Sequence, residues 1–181
     1  MSGSVTRERR RTRRLARVVR GLMAGSLLLI PAGAEPRSSD LTQKQGTFDA
    51  SWTVSGSVTI LEYVDGGSVS AGRLQGTVVL KTSTGNFPNF QTDCVVFADD
   101  RQGGKGRCIW EDSTGDRIFV ETESVSSGVF GQSNGRFVGG TGRYKGVSGR
   151  FGFEWNYSVS GWDDATLNGY TLEMHGNYLL Q

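Results

Sequence analysis

Strict alternation of apolar and polar residues constrains this chain more than any other feature. From Thr47 to Ile60, the residues Phe48, Ala50, Trp52, Val54, Val58 and Ile60 hold even positions, while Thr47, Asp49, Ser51, Thr53, Ser55, Ser57 and Thr59 hold odd ones. Successive side chains of a strand point to opposite faces, so this segment predicts a strand with one apolar and one hydroxyl-rich face. The pattern returns with Val147, Phe151, Phe153, Trp155, Tyr157 and Val159 on one parity and Ser148, Arg150, Glu154, Asn156 and Ser158 on the other. A third run, about Thr166–Leu179, predicts Tyr170, Leu172, Met174 and Tyr178 on one face and Thr171, Glu173, His175 and Asn177 on the opposite one.

Between these runs the chain reads as shorter strands punctuated by turn residues, with no amphipathic helix. Gly56 interrupts the apolar face of the first strand and suits a bend or bulge. Asp65-Gly66-Gly67 turns the chain into a second strand carrying Leu74, Val78 and Leu80, which ends before Gly85-Asn86-Phe87-Pro88. Strands are expected over about Phe90–Ala98, Lys105–Glu111, Ile118–Ser124 and a glycine-rich Gly128–Val138. That makes eight strands with short links. An open sheet would leave two unpaired edges, which closure removes. The expected fold is therefore all-β, an eight-stranded antiparallel closed β-barrel, wide enough to be filled by side chains or to hold one small ligand. A two-sheet sandwich is the alternative.

Residues 1–34 stand apart. Eight arginines, from Arg7 to Arg20, precede a ten-residue apolar run, Gly21–Ile30, and Ala32-Gly33-Ala34 has the small residues of a signal-peptidase site. This reads as a cleaved export signal peptide, with Thr12-Arg13-Arg14-Leu15 leaving open a twin-arginine route beside the general one. At about 1.5 Å per residue the apolar run covers roughly half of a ~30 Å hydrocarbon core, so no stable membrane span is expected. Residues 35–45 form a short polar linker and 46–181 a single β-barrel domain. Of the 20 basic and 18 acidic side chains, eight basic and one acidic lie in the leader, leaving 12 against 17. An acidic domain with dispersed charge has no footprint for nucleic acid. The expected location is periplasmic or extracellular.

Cys94 and Cys108 flank Asp99-Asp100-Arg101-Gln102-Gly103-Gly104 symmetrically, which centres a hairpin on Arg101 and makes the two cysteines face each other. In an oxidising compartment this favours a structural disulfide. A reactive thiol or a metal site is the rival, but there is no third Cys and the single His does not join the pair.

Phe137-Val138-Gly139-Gly140-Thr141-Gly142-Arg143-Tyr144-Lys145-Gly146-Val147-Ser148-Gly149 resembles the glycine-rich turn and strand of the allene oxide cyclase-like barrel superfamily, which includes the dirigent proteins. The cysteine hairpin with Ile109-Trp110-Glu111-Asp112 is similar to exported bacterial members of that group. The resemblance implies an eight-stranded barrel, often a homo-oligomer, that holds a small hydrophobic molecule and in some members cyclises or steers a reactive intermediate without a cofactor. It carries over no catalytic residues. In the same stretch Gly135-Arg136-Phe137, Gly142-Arg143-Tyr144 and Gly149-Arg150-Phe151 recur every seven residues. Seven is odd, so a turn is needed to return the three rings to a common side.

Trp52, Phe151, Phe153, Trp155 and Tyr157 are the largest aromatic concentration and the expected ligand-binding residues, or, on the plainer reading, core. Glu62 has the parity of the apolar face of the first strand. Turned inward, it would have a raised pKa and serve as an acid or base; at a strand end it leans into solvent. His175 is expected on the polar face beside Glu173. Asp99-Asp100, Glu111-Asp112 and Asp116 would bind calcium only if one rim gathered them, and Arg136, Arg143, Lys145 and Arg150 would need to cluster to bind an anion. No metal and no cofactor is expected. The expected function is an exported barrel that binds a small hydrophobic or aromatic molecule in its interior; the alternative is a cofactor-independent cyclase or isomerase, or a dirigent-like steering protein.

Overall fold

The computed structural model describes residues 44–82, 85–86, 89–125, 130–161 and 165–181. The expected leader and most of the linker lie outside them. The described chain is all-β and antiparallel: β1 (Gln45–Glu62), β2 (Ser68–Thr82), β3 (Gly85–Asn86), β4 (Phe90–Asp99), β5 (Gly103–Glu111), β6 (Arg117–Ser124), β7 (Phe130–Gly140), β8 (Ser148–Ser160) and β9 (Ala165–Leu179). Neighbours follow the order β1-β9-β8-β7-β6-β5-β4-β2, and β1 also pairs with β2, so the hydrogen bonds run round a ring of eight strands. The two-residue β3, in the segment expected to be a turn, folds back on the end of β2.

The two strongest alternations form strands as read. Phe48, Ala50, Trp52, Val54 and Val58 of β1 are buried, as are Val147 beside β8 and Phe151 and Phe153 within it. The sheet is continuous at Gly56, where no bulge occurs in either register. Instead, Val54 faces Gly76, Gly56 faces Leu74 and Val58 faces Gly72 across β1 and β2. A Cβ on Gly56, Gly72 or Gly76 would collide with the carbonyl oxygen of Arg73, Ser57 or Thr53 respectively. Three glycines thus let β1 and β2 approach and coil where larger residues would hold them apart.

The third run departs from its expected faces. Ala50 pairs with Met174 but Trp52 with Thr171, and on the other side Phe153 pairs with Met174 but Asn156 with Tyr170. One extra residue therefore sits in β9 against both neighbours, a bulge spanned by the Thr171 hydroxyl, which donates to the Glu173 carbonyl at 3.2 Å. A one-residue insertion exchanges the faces. Met174 and Tyr178, after the bulge, are buried as expected, whereas before it Ala165 and Thr171 are buried and Tyr170 is 46% exposed. The Leu172 side chain lies outside the described residues.

The buried face is a continuous aromatic stack. Phe48, Phe137 and Phe151 have ring centroids 5.3–6.1 Å apart, Trp110 lies 5.5 Å from both Phe137 and Phe151, and Phe90 joins Trp110 to Tyr144. The required turn between the seven-residue repeats is a 3-10 turn, Gly142–Tyr144. It returns Phe137, Tyr144 and Phe151 to the core.

Tyr144 closes this end of the ring. Its hydroxyl donates to Asp112 Oδ2 at 2.9 Å, and Asp112 Oδ1 accepts from the Thr114 amide and hydroxyl at 2.8 and 2.7 Å. Arg143 Nε lies 3.3 Å from Asp112 and 3.2 Å from Asp116. Burial raises the pKa of Asp112, but the hydrogen bonds from Thr114 and Tyr144 and the charge of Arg143 outweigh it and hold the carboxyl below its ordinary value. The acidic residues do not share a rim: Asp99 ends β4 and Asp100 follows it, while Glu111, Asp112 and Asp116 lie at the opposite end of the hairpin, where β5 ends. Of the four basic residues, Arg136 is ion-paired with Glu121 and Arg143 with Asp112 and Asp116, while Arg136 and Arg150 are cross-strand partners on β7 and β8.

Candidate functional site

The site follows from where bulk runs out along β5, β6 and β7. In the half of the ring near Tyr144 these strands turn Cys108, Trp110, Ile118, Val120 and Phe137 to the buried face. In the other half, successive rows across β5, β6, β7 and β8 read Gly106, Thr122, Gly135, Phe151 and then Gly104, Ser124, Ser133, Phe153. Glycine, serine and threonine cannot fill the span that tryptophan and phenylalanine fill below. The result is a cavity of about 430 Å³, within the range of small-molecule sites.

Two unlike walls face each other. Trp52, Val54 and Val58 of β1, Trp155 and Tyr157 of β8 and Leu167 of β9 make an apolar and aromatic wall; Thr122 and Ser124 of β6 and Ser133 of β7 make a hydroxyl wall. The Trp52 and Trp155 rings lie 4.7 Å apart. Trp52 Nε1 donates to the buried Thr92 hydroxyl at 3.0 Å, which fixes the indole. Between the walls lies the Cys94–Cys108 disulfide, joining directly opposed residues of β4 and β5 with Cα atoms 4.1 Å apart. The expected pairing is thus present, and a buried disulfide is compatible with an exported protein.

The mouth is held by two hairpin turns. The Ser68 amide donates to Asp100 Oδ2 at 2.6 Å and the Asp100 amide to the Ser68 carbonyl at 3.1 Å. Arg101 is ion-paired with Asp65, and its guanidinium lies 5.9 Å from the centroid of the Tyr63 ring. Arg101 holds the Asp65 carboxyl below its ordinary value.

Of the five aromatic residues expected to bind a ligand, Trp52, Trp155 and Tyr157 line the cavity. Phe151 and Phe153 are buried and do not; Phe151 lies over Gly135 and belongs to the core beneath. Glu62 pairs with Ser68 at the end of β1, is exposed and does not line the cavity. His175 is exposed and lies 2.7 Å from Asp49 across β9 and β1. Among the described residues, the ionisable side chains lining the cavity are Asp100 and Lys105, both exposed at the mouth, and Tyr157, whose pKa burial raises. The described residues put no formal charge in the depth of the cavity, an environment suited to desolvating and orienting a neutral molecule. Among the described residues no group of three or more His, Cys, Asp or Glu side chains could hold a metal, and no helix is long and apolar enough to cross a membrane.

Sequence reasoning missed Thr122, Ser124 and Ser133. The available signal was a lack of bulk: these residues share the buried parity of their strands with Val120 and Phe137 but are small.

No protein-family model matches the chain, and no curated protein matches it in sequence. Among solved structures it is similar to that of a pterocarpan synthase dirigent protein, at 14% identity over 77% of this chain and 93% of that one, with a TM-score of 0.43.

Proposed function

We propose that the ring is a closed eight-stranded barrel and that the protein is an exported module binding one small hydrophobic or aromatic molecule in the wide half of its interior. The observation that carries this reading is the 430 Å³ cavity with tryptophan rings on one wall and, among the described residues, no charged group in its depth. A molecule entering it exchanges water for aromatic and aliphatic surface, at roughly 25 cal/mol for each Å² of apolar area buried. In this reading residues 1–34 are the export signal, 35–45 the linker and 46–181 the barrel, and Trp52, Trp155 and Tyr157 contact the ligand while Phe151 and Phe153 support them. The stretch Phe137–Gly149 keeps the allene oxide cyclase-like and dirigent-like superfamily as the proposed home of the fold.

The test is titration with N-phenyl-1-naphthylamine, a neutral aromatic probe whose emission rises in apolar surroundings. Saturable binding at one probe per chain is expected. Val58→Phe, which puts a larger side chain into the cavity wall, should abolish it without lowering the melting temperature. A wild-type protein that leaves the probe dark, or a Val58→Phe variant that binds as before, refutes the reading.

A further inference from the structure

Resting on that reading, we propose that Thr122, Ser124 and Ser133 read a polar edge of the ligand: the bound molecule is a ring compound, apolar on one side and bearing a hydroxyl or carbonyl oxygen on the other.

The three hydroxyls form one patch. Ser124 and Ser133 are direct cross-strand partners on β6 and β7, and Thr122 lies two residues from Ser124 on the same face. Their flanks are bare. On β5 the residues opposite Ser124 and Thr122 are Gly104 and Gly106, and on β7 Thr122 faces Gly135. A Cβ on Gly106 would lie 2.5 Å from Thr122 Oγ1, and one on Gly104 would lie 2.7 Å from Ser124 Oγ, so any larger residue there would crowd the hydroxyls.

The hydrogen-bond arrangement favours donation into the cavity. Ser124 Oγ accepts the Gly104 amide at 2.9 Å, which leaves the hydroxyl proton of Ser124 to be donated. Ser133 is 4% exposed, so its hydroxyl is shielded from bulk water, and it lines the cavity. Burying hydroxyls against a purely apolar molecule would displace their water without replacing its hydrogen bonds, at a cost in affinity. A ligand with an oxygen on that edge restores those bonds while its ring rests on Trp52 and Trp155. The two walls therefore set its orientation: oxygen toward β6 and β7, ring face toward β1 and β8.

The experiment displaces N-phenyl-1-naphthylamine with either naphthalene or 2-naphthol, which differ by one hydroxyl. Although 2-naphthol is the more water-soluble, it should displace the probe at about tenfold lower concentration, as expected for one net hydrogen bond. Thr122→Val, Ser124→Ala and Ser133→Ala should each shrink that preference, and the triple variant should erase it by raising the 2-naphthol concentration while leaving that of naphthalene unchanged. Equal displacement by the two compounds on the wild-type protein overturns the inference without recourse to variants, and so does a preference that survives the triple substitution. Failure of the probe itself to bind removes the underlying reading instead, so the two failures are told apart.

Discussion

The buried hydroxyl of Tyr144 donates to the carboxylate of Asp112 at 2.9 Å, across 32 residues of chain, and the pair seals the end of the ring opposite the cavity. Neither group stands alone: Thr114 supplies two more donors and Arg143 the compensating charge. Removing one member leaves a buried polar group short of a partner, which costs more than the bond contributes.

Stability should therefore fall in acid through Asp112. Its folded pKa lies below the unfolded value of about 3.9. Its contribution is complete above the unfolded value and is lost as pH falls through the folded one. Chemical denaturation between pH 2 and 7 should show this loss, and Asp112→Asn should flatten part of it. Tyr144→Phe should cost about 1.5–3 kcal/mol at pH 7, the range for a hydrogen bond to a charged group. A variant that unfolds at the same denaturant concentration as the wild type would show the bond to be dispensable.

Reduction of Cys94–Cys108 should lower stability by about 3 kcal/mol, the chain-entropy value for a loop of about 15 residues. The comparison is of urea midpoints for wild type with and without reductant, and for Cys94→Ala with Cys108→Ala. Coincident midpoints would show that the bridge contributes nothing to the net stability of the fold.

Gly135→Ala should be costly out of proportion to one methyl group, because a Cβ there would collide with the edge of the Phe151 ring. Overpacking of this kind typically costs about 1–3 kcal/mol. Phe151→Leu alone should also destabilise, yet the double variant should lose less than the sum, since the smaller side chain makes room. Strict additivity in this cycle would place the ring elsewhere.

Deleting Glu173 should be tolerated. The deletion removes the extra residue of β9 and leaves Met174 and Thr171 two positions apart, so a straight strand keeps Ala165, Thr171 and Met174 inward and Tyr170 outward. Circular dichroism and gel filtration of the purified variant test this, and an unfolded or aggregated product would show that the bulge itself is required.

How much of this was legible depended on bulk. β1 and β8 declare themselves because large apolar side chains mark every second position over more than ten residues. β9 was half legible: its residues have the right types, but a bulge is a backbone event set by contact with both neighbours, and hydrophobic periodicity carries no sign of it. Thr122, Ser124 and Ser133 were invisible for the opposite reason, since a wall that makes space is built from residues with no pattern to detect. The Tyr144–Asp112 pair joins two turns distant in sequence, so the seven-residue repeat predicted that Tyr144 returns to the core but not what meets it there.

The outermost pair of the ring joins β1 to β9, with Gln45 opposite Leu179 and the Leu180 amide donating to the Lys44 carbonyl at 2.5 Å. The described residues at both ends of the ring thus lie side by side at the end that holds Tyr144, remote from the entrance to the pocket. A tether or affinity handle attached beyond Gln181 would therefore leave the entrance to the pocket turned away from the point of attachment.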